Sequence, residues 1–489
     1  LSTRNQGQFN RMYPYQTEAL NWMKTRESDH TISGGFLCLD MGLGKTRITA
    51  TLIRDNLLPR TLVLTTKSTV GGWLAELRLQ SNFAFDCIEY VKNKTHLTPG
   101  RPTAVVATHH SILKENVGWF REQAFDRVVV DEVHVIRNLG TIFWALREIP
   151  AHTRWGLTAT PFNNSKSDIR AYTEFLQPGM PAEEFKKYRY RKLRSEVIQG
   201  GPELQNDKHV YDFESPEEHR LYEYVAGRIE DTNAWIAANA RRLPRHVRGM
   251  MKLTMILRER QAAIHPQIVL DAEKVWRAQM PAVLGDPEEV GRWDPSKVTK
   301  FRHVVKMVEE DFKKGESTMI VTHFKTELDL LQQALSKAGI LTEVLNGKTT
   351  PSKRTAMESY GNPTKPVEIK SIIDETAFVP DDVIGIIQSF VDRPRVLLLQ
   401  IKAGGVGISL PWVHHVINTS PDWNPFLELQ AIYRAYRVNT RHDVRVTSMY
   451  FRDTVDTQIQ NRQKTKFEQS LEWTGDPPES ISEFISMPV

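Results

Sequence analysis

The chain has 489 residues, 40% of them apolar and 25% charged, with a formal charge of +5 and two cysteines. Such a length exceeds one core and calls for two or three folding units, and no apolar run approaches the ~20 residues of a membrane-crossing helix. The charge permits an anionic partner without requiring one, and Cys38 and Cys87, each beside strand-like residues, read as buried free thiols of a reducing compartment rather than as a disulfide or a zinc site.

In chain order, a helical pattern EALNWMKT (18–25) comes first, then the strand-like FLCL, a glycine-rich turn and the helical TRITATLIRDNL (46–57). TLVLTT (61–66), TAVVAT (103–108), RVVVDE (127–132) and TRWGLTAT (153–160) read as strands, with TIFWALREI (141–149) a helix between the last two. Short β-branched runs alternating with helices predict a parallel sheet covered on both faces. Across roughly 180–295 charge and helix formers dominate, with breaks at Pro202, Pro216, Pro244, Pro266, Pro281 and Pro287, which predicts a helical insertion. Strand–helix alternation returns with STMIVTHF (317–324), VLLLQI (396–401), HHVINTS (414–420) and VRVTSMYF (444–451). The expected class is α/β: one lobe over 1–179, a helical protrusion over 180–295, a second lobe over 296–455 and a C-terminal brace or tail over 456–489. Two basic runs, KKYRYRKLR (186–194) and RRLPRHVR (241–248), read as solvated helix faces or as anion contacts.

Three stretches carry chemistry. Gly42-Leu43-Gly44-Lys45-Thr46 sits between a strand and a helix. Glycines there let backbone N–H groups approach phosphate, and the helix N-terminus adds partial positive charge. Lys45 suits the β- and γ-phosphates of a nucleotide and Thr46 suits Mg2+. The general phosphate-loop pattern has glycine where Leu39 stands, so a plain tight turn is the alternative. In VVVDEVH (128–134) an apolar strand ends in two carboxylates: Asp131 for the metal, Glu132 to orient and deprotonate water, or simply a solvated strand end. In QAIYRAYRVNTR (430–441), Gln430, Arg434, Arg437 and Arg441 recur at helical spacing. One helix face carrying an amide and three guanidinium groups suits the charge on a transferring phosphoryl group, or is a basic surface.

Together these stretches resemble the motor core of the Swi/Snf-like ATPases, a branch of helicase superfamily two. PYQTEALNWM resembles the adenine-contacting segment of that family, which implies that Gln16 reads the base. DMGLGKT resembles its phosphate loop, which tolerates a residue other than glycine at 39; Asp40 stands where the family has an Asp-Glu pair, so one acidic position is lost. VLTTKSTVGGWLAEL resembles the first DNA-contacting motif, with Thr66 where proline is common and Trp73 retained, and VVATHHSIL resembles the next. GLTATP resembles the motif that couples hydrolysis to lobe movement through Thr158 and Thr160, and LRERQAAIHPQIV (257–269) the segment between the lobes. MIVTHFKTELDLL, LNGKTTPSKR, LLLQIKAGGVGISL and SPDWNPFLELQAIYRAYR follow in the family's order.

The resemblance implies two RecA-like lobes with ATP and Mg2+ between them and catalysis by Lys45, Glu132, Arg434 and Arg437, the arginines reaching across the cleft. It implies nucleotide contacts from Gln16, Gly42, Gly44, Lys45, Thr46, Asp131 and Gln430, with Thr46 and Asp131 on the metal. It also implies sequence-tolerant backbone contacts to double-stranded DNA from Lys67, Ser68, Thr108, Lys402, Gly404 and Gly405; for the two lysines a solvated side chain is the alternative. The expected partner besides DNA is a protein cargo such as a nucleosome or transcription complex, with no membrane, acting in the nucleus or at a cytoplasmic viral site. A strand-separating helicase, a viral transcription-associated triphosphatase and a silent scaffold are the competing readings.

One stretch departs from the family's spacing: 363–395, where Pro380-Asp381-Asp382 reads as a helix start and Val383, Ile384, Ile387, Phe390 and Val391 form an apolar stripe. It is expected to dock on its own lobe or to meet a partner. His323, Trp412 and Trp423 are expected to be packing or hydrogen-bonding residues, and His134 a cap or a coupler.

Overall fold

Apolar runs too short to bury a helix face are buried from both sides as strands, and the amphipathic runs between them supply the cover. The computed structural model describes residues 12–113, 116–159, 166–197, 200–277, 293–359, 394–401, 408–437 and 440–474. It divides into two units, one built mainly from residues up to Gly201 and the other mainly from Pro202 to Thr465.

In the first unit the order is α1 (Pro14–Glu27), β1 (Ser33–Leu39), α2 (Lys45–Asp55), β2 (Arg60–Thr65), α3 (Val70–Ser81), β3 (Asp86–Glu89), β4 (Thr103–Thr108), α4 (Val117–Glu122), β5 (Arg127–Asp131), α5 (Thr141–Arg147), β6 (Thr153–Leu157), α6 (Lys166–Leu176) and β7 (Arg189–Lys192). The seven strands make one sheet in the order β3-β4-β2-β5-β6-β1-β7, and every neighbouring pair is parallel. Phe36, Leu62, Val105, Val128, Phe143 and Tyr172 pack into its core. β1 and β5 flank β6, so their carboxyl ends stand about 10 Å apart at ordinary strand spacing. Ligands of open parallel sheets bind beyond such ends. A buried hub fastens the opposite side. Glu27 on α1 accepts from Arg127 Nε at 2.6 Å and Nη2 at 2.5 Å, from Trp155 Nε1 at 2.8 Å and from Asn56 Nδ2 at 2.5 Å.

The second unit runs β8 (Leu204–Tyr211), α7 (Pro216–Ala238), α8 (Arg245–Ala262), α9 (Pro266–Arg277), α10 (Thr299–Lys314), β9 (Thr318–Thr322), α11 (Lys325–Lys337), β10 (Thr342–Leu345), α12 (Pro351–Ser359), β11 (Val396–Gln400), β12 (His415–Asn418), α13 (Pro425–Ala435), β13 (Val444–Phe451) and α14 (Val455–Thr474). Its six strands are again all parallel, in the order β10-β11-β9-β12-β13-β8. The α/β class with parallel sheets is thus present in both units.

Three expectations need correction. The run 186–194 is not one helix face: Lys186–Tyr188 close a 3-10 turn, and Arg189–Lys192 form β7, which pairs with β1 from Phe36↔Arg189 to Leu39↔Lys192. Within the expected helical insertion, Leu204–Tyr211 is likewise extended, because the alternating LQNDKHVY of β8 finds a partner in β13 along all eight residues; the first long helix begins at Pro216, where Ser215 Oγ caps the Glu218 N–H. And α13 ends at Ala435, with Tyr436 at φ −93° and ψ 83°, so Arg437 and Arg441 do not share a helix face with Gln430 and Arg434. The two cysteines are free, Cys38 buried and Cys87 only half-buried. The stretch 363–393 and its apolar stripe lie outside the described residues. No helix among the described residues is long and apolar enough to cross a membrane.

Candidate nucleotide site and nucleic-acid interface

β1 delivers its chain end into a loop with Gly42 at φ +80° and Gly44 at φ +84°, a left-handed backbone that glycine takes without strain. Gly44 is then the N-cap of α2, whose first residues are Lys45 and Thr46. A Cβ at Gly44 would stand 2.5 Å from Gln16 Nε2, so a larger residue there would have to displace the Gln16 amide and adopt the left-handed backbone with a side chain. Gln16 is itself buried against the loop and donates to Leu43 O at 3.2 Å, beside Tyr15, whose hydroxyl donates to the same oxygen at 3.2 Å. Lys45 Nζ donates to Leu39 O at 2.8 Å and to Asp40 O at 3.3 Å. The Leu39 position is therefore used through its backbone carbonyl, which any residue supplies. Asp40 serves similarly; its carboxylate turns away and accepts from Arg194 N at 3.0 Å. Burial pushes the Lys45 ammonium down, and the charges of Glu132, Asp131 and Asp40 pull it back up.

The two carboxylates end β5. Asp131 is 9% exposed, and its Oδ2 accepts from Trp73 Nε1 at 2.8 Å and from Thr65 Oγ1 at 2.9 Å. Its Oδ1 accepts from Glu132 N at 3.1 Å, and its carbonyl accepts from His109 Nε2 at 2.8 Å. Burial pushes His109 down to about 4, so its ring is neutral and Nε2 carries the proton. Burial and the Glu132 charge raise the Asp131 carboxyl, while Trp73, Thr65 and Lys45 oppose them. Glu132 differs. Burial works to raise it, but His134 and Lys45 hold its carboxyl below the ordinary range. His134 Nδ1 lies 3.3 Å from Glu132 Oε2, and Glu132 sits at φ +50°, a left-handed strain of about 1–3 kcal/mol for a residue with a Cβ. A strained carboxylate beside a buried one is a site arranged for more than packing.

Among the DNA candidates, Lys67 is exposed, and Ser68 and Thr108 are half-buried, with Thr108 Oγ1 2.8 Å from Ser111 Oγ. Lys402, Gly404 and Gly405 lie outside the described residues, as does Thr160, while Thr158 is buried just past β6. In the second unit Gln430 is half-buried and Arg434 buried on α13, and Arg437 lies past its end, its Nη2 donating to Ile408 O at 3.3 Å. His323 is a hydrogen-bonded interior residue: Arg260 Nη2 donates to its Nδ1 at 2.7 Å and its Nε2 donates to Ser420 O at 2.6 Å. Arg260 also reaches Asp422 Oδ2 at 3.4 Å, and Asp422 Oδ1 accepts from Asn424 N at 2.8 Å. Asn424 caps α13 by accepting from Phe426 N at 3.2 Å, so the segment 257–269 is tied to the start of the arginine helix. Trp412 Nε1 donates to Met357 O at 2.7 Å, a packing role.

Thr65, Thr69, His109 and the Trp73–Asp131 bond were not legible beforehand. Their signal lies in β2, β4 and β5 standing side by side, which places strand ends far apart in sequence against one another.

The chain matches the SNF2-related domain over residues 15–209 and the helicase conserved C-terminal domain over residues 380–439. It belongs to the Swi/Snf-like ATPases. A relative in Orgyia pseudotsugata multicapsid polyhedrosis virus, named a probable global transactivator, is 25% identical over 484 residues, spanning 89% of this chain and 85% of that protein. The mouse SWI/SNF-related matrix-associated actin-dependent regulator of chromatin subfamily A member 1 is 23% identical over 491 residues, spanning 92% of this chain but only 42% of that protein. A solved Sulfolobus solfataricus SWI2/SNF2 ATPase core in complex with dsDNA aligns over 98% of both chains at 21% identity with a TM-score of 0.39.

Proposed function

We propose that the chain is a DNA-stimulated ATPase that translocates on double-stranded DNA and thereby remodels a protein complex bound there. The observation that carries this reading is the pairing, in one parallel sheet, of the loop Gly42–Thr46 at the end of β1 with the Asp131–Glu132 carboxylates at the end of β5. The residues fit Mg2+ as well as a nucleotide. Thr46 offers a hydroxyl, and Asp131 Oδ1, which accepts the Glu132 N–H, keeps a second lone pair for a cation that prefers hard oxygen donors. When bound, the ion would neutralise charge on the β- and γ-phosphates.

The chain's own residues then divide the work. Gln16 bears on the base, the loop N–H groups and Lys45 cradle the phosphates, and Glu132 takes the proton of the attacking water. Arg434 and Arg437 stabilise charge on the transferring group, and Gln430 contacts the nucleotide. Reopening after hydrolysis advances one lobe along the DNA backbone, held by Lys67, Ser68, Thr108, Lys402, Gly404 and Gly405. Backbone contacts of this kind make binding sequence-tolerant and salt-sensitive. The viral relative, matched over most of its length, favours a transcription complex as cargo, and the chromatin regulators favour a nucleosome. Either load places the protein in the nucleus, or at a cytoplasmic viral site if the chain serves a virus.

The experiment is displacement of a triplex-forming strand from duplex DNA, run beside a forked-duplex unwinding assay. ATP-driven displacement without unwinding is the expected pair of results. Unwinding of the fork would instead favour the strand-separating helicase, and neither result with intact ATP binding would favour a scaffold.

A further inference from the structure

The carboxyl ends of β9 and β12 stand side by side in the second sheet, and a collar of side chains closes over them at the start of α13. Arg260, third from the end of α8 and 6% exposed, is its centre. Its Nη2 donates to Pro421 O at 2.5 Å and to His323 Nδ1 at 2.7 Å, and its Nη1 reaches Asp422 Oδ2 at 3.4 Å. His323 Nε2 faces Ser420 O at 2.6 Å, a group that only accepts, so Nε2 carries the proton and Nδ1 offers its lone pair to Arg260. Asp422 Oδ2 lies 3.3 Å from the same Nδ1, farther away than Arg260. Burial and the Arg260 charge push the His323 ring down, in keeping with that neutral tautomer. Asp422 passes the hold on to the helix. Its Oδ1 accepts from Asn424 N at 2.8 Å, Asn424 Oδ1 caps Phe426 N at 3.2 Å, and Asp422 N donates to Glu428 Oε1 in the first turn. Gln463 Nε2, on α14, donates to Asp422 O at 2.6 Å and to Glu428 Oε1 at 2.8 Å. At the far end of α13, Leu410 N donates to Arg434 O at 2.8 Å.

We propose that Arg260 is a positioning residue for hydrolysis: with His323 and Asp422 it fixes the axis of α13 and so aims Arg434 at the transferring phosphoryl group. This rests on the function proposed above. A buried charge is a poor way to gain stability, but one flat fork bonded to three acceptors sets an angle as well as a distance. Lysine would keep the charge and lose the fork. α13 has 11 residues and is about 16 Å long, with Arg434 next to last. A shift of about 1 Å at the collar therefore tilts the helix by about 4°. Misplacement on the scale of 1 Å, far from the chemistry, lowers a rate by up to about 10²-fold. The charge that Arg434 meets develops in the transition state, so the collar governs kcat and leaves nucleotide binding alone.

The test measures kcat and KM for ATP of the full chain with saturating duplex DNA, in a double-mutant cycle. Arg260→Lys should lower kcat by about tenfold or more and leave KM within about twofold. In an Arg434→Ala chain the same change should lower kcat by no more than about twofold further, because the arginine it aims is gone. His323→Leu should behave like Arg260→Lys. His323→Gln keeps an acceptor for Arg260 and a donor for Ser420 O, and should hold kcat within about threefold of the natural sequence. The histidine pair carries the comparison if thermal melting shows that Arg260→Lys folds poorly. A full second loss in the Arg434→Ala chain, a KM that rises in step with the fall in kcat, an unchanged kcat in a folded variant, or a glutamine variant no better than leucine overturns the positioning role alone. Arg434→Ala hydrolysing at the natural rate overturns the finger reading and the positioning role together.

Discussion

Glu27→Gln is a change of one oxygen to one NH2 in a side chain of nearly the same volume, so it opens no cavity. The two Glu27 oxygens accept four donors: two from Arg127, one from Trp155 and one from Asn56. An amide turns one acceptor into a donor, so two of those donors meet an N–H instead. The Arg127 guanidinium, at 0% exposure, then loses its counter-charge, which was itself 1% exposed. Breaking a buried pair from one side costs about 3–5 kcal/mol. For a unit of this size that lowers the melting temperature by roughly 6–20 °C. Glu27 stands at the end of the helix that carries Gln16, Asn56 at the end of the helix that starts at the phosphate loop, and Arg127 at the start of the strand that ends in Asp131. One carboxylate thus fastens three elements of the nucleotide site from behind. Calorimetry should show the first unit's transition move and the second's hold, and fluorescent-nucleotide titration should show weaker binding. Replacing both partners by methionine should recover part of the stability, because no charge is then left buried. A shift below about 2 °C in Glu27→Gln would refute the reasoning.

Glu132→Gln should bind nucleotide like the natural sequence and lose turnover by about 10²-fold or more, read by phosphate release; normal turnover would remove Glu132 from the general-base role. Arg437→Ala should leave nucleotide binding within a few-fold and slow hydrolysis by about 10²-fold or more, so an unchanged rate would show that it is not a finger. Glu428 supplies a pH test. Burial pushes its carboxyl up to about 8, so between the unfolded value of 4.5 and that point the folded state binds a proton that the unfolded state lacks. Stability is therefore lost as pH rises through this window, by up to about 1.4 kcal/mol per unit, and Glu428→Gln should flatten the fall in melting temperature from pH 5 to pH 9. A variant with the same slope would contradict the assignment.

The strands, the phosphate loop and the carboxylate pair were legible because each is a local signal: a β-branched run, two glycines before Lys-Thr, an apolar strand ending in acid. Glu27 and Arg127 carry no such signal, since only the sheet order brings the end of α1 to the start of β5. Thr65 closes a strand-like run and Thr69 falls in no regular pattern; only the start of α3 at Val70 folds Thr69 back onto Thr65. Arg437 was misplaced for the opposite reason. Its spacing from Gln430 and Arg434 is helical, but the backbone leaves the helix at Tyr436, and Arg437 N instead donates to Thr440 Oγ1 at 2.8 Å. β7 and β8 show tertiary context overriding a charged, helix-prone composition: each finds an unpaired sheet edge.

The account turns on whether duplex DNA drives the nucleotide site. The direct measurement is the ATP hydrolysis rate of the full chain with saturating naked duplex, nucleosome, single-stranded DNA and single-stranded RNA, at fixed salt. A rate that rises at least tenfold with duplex or nucleosome and barely with RNA is the predicted result. A rate raised by single-stranded RNA and indifferent to duplex would contradict it.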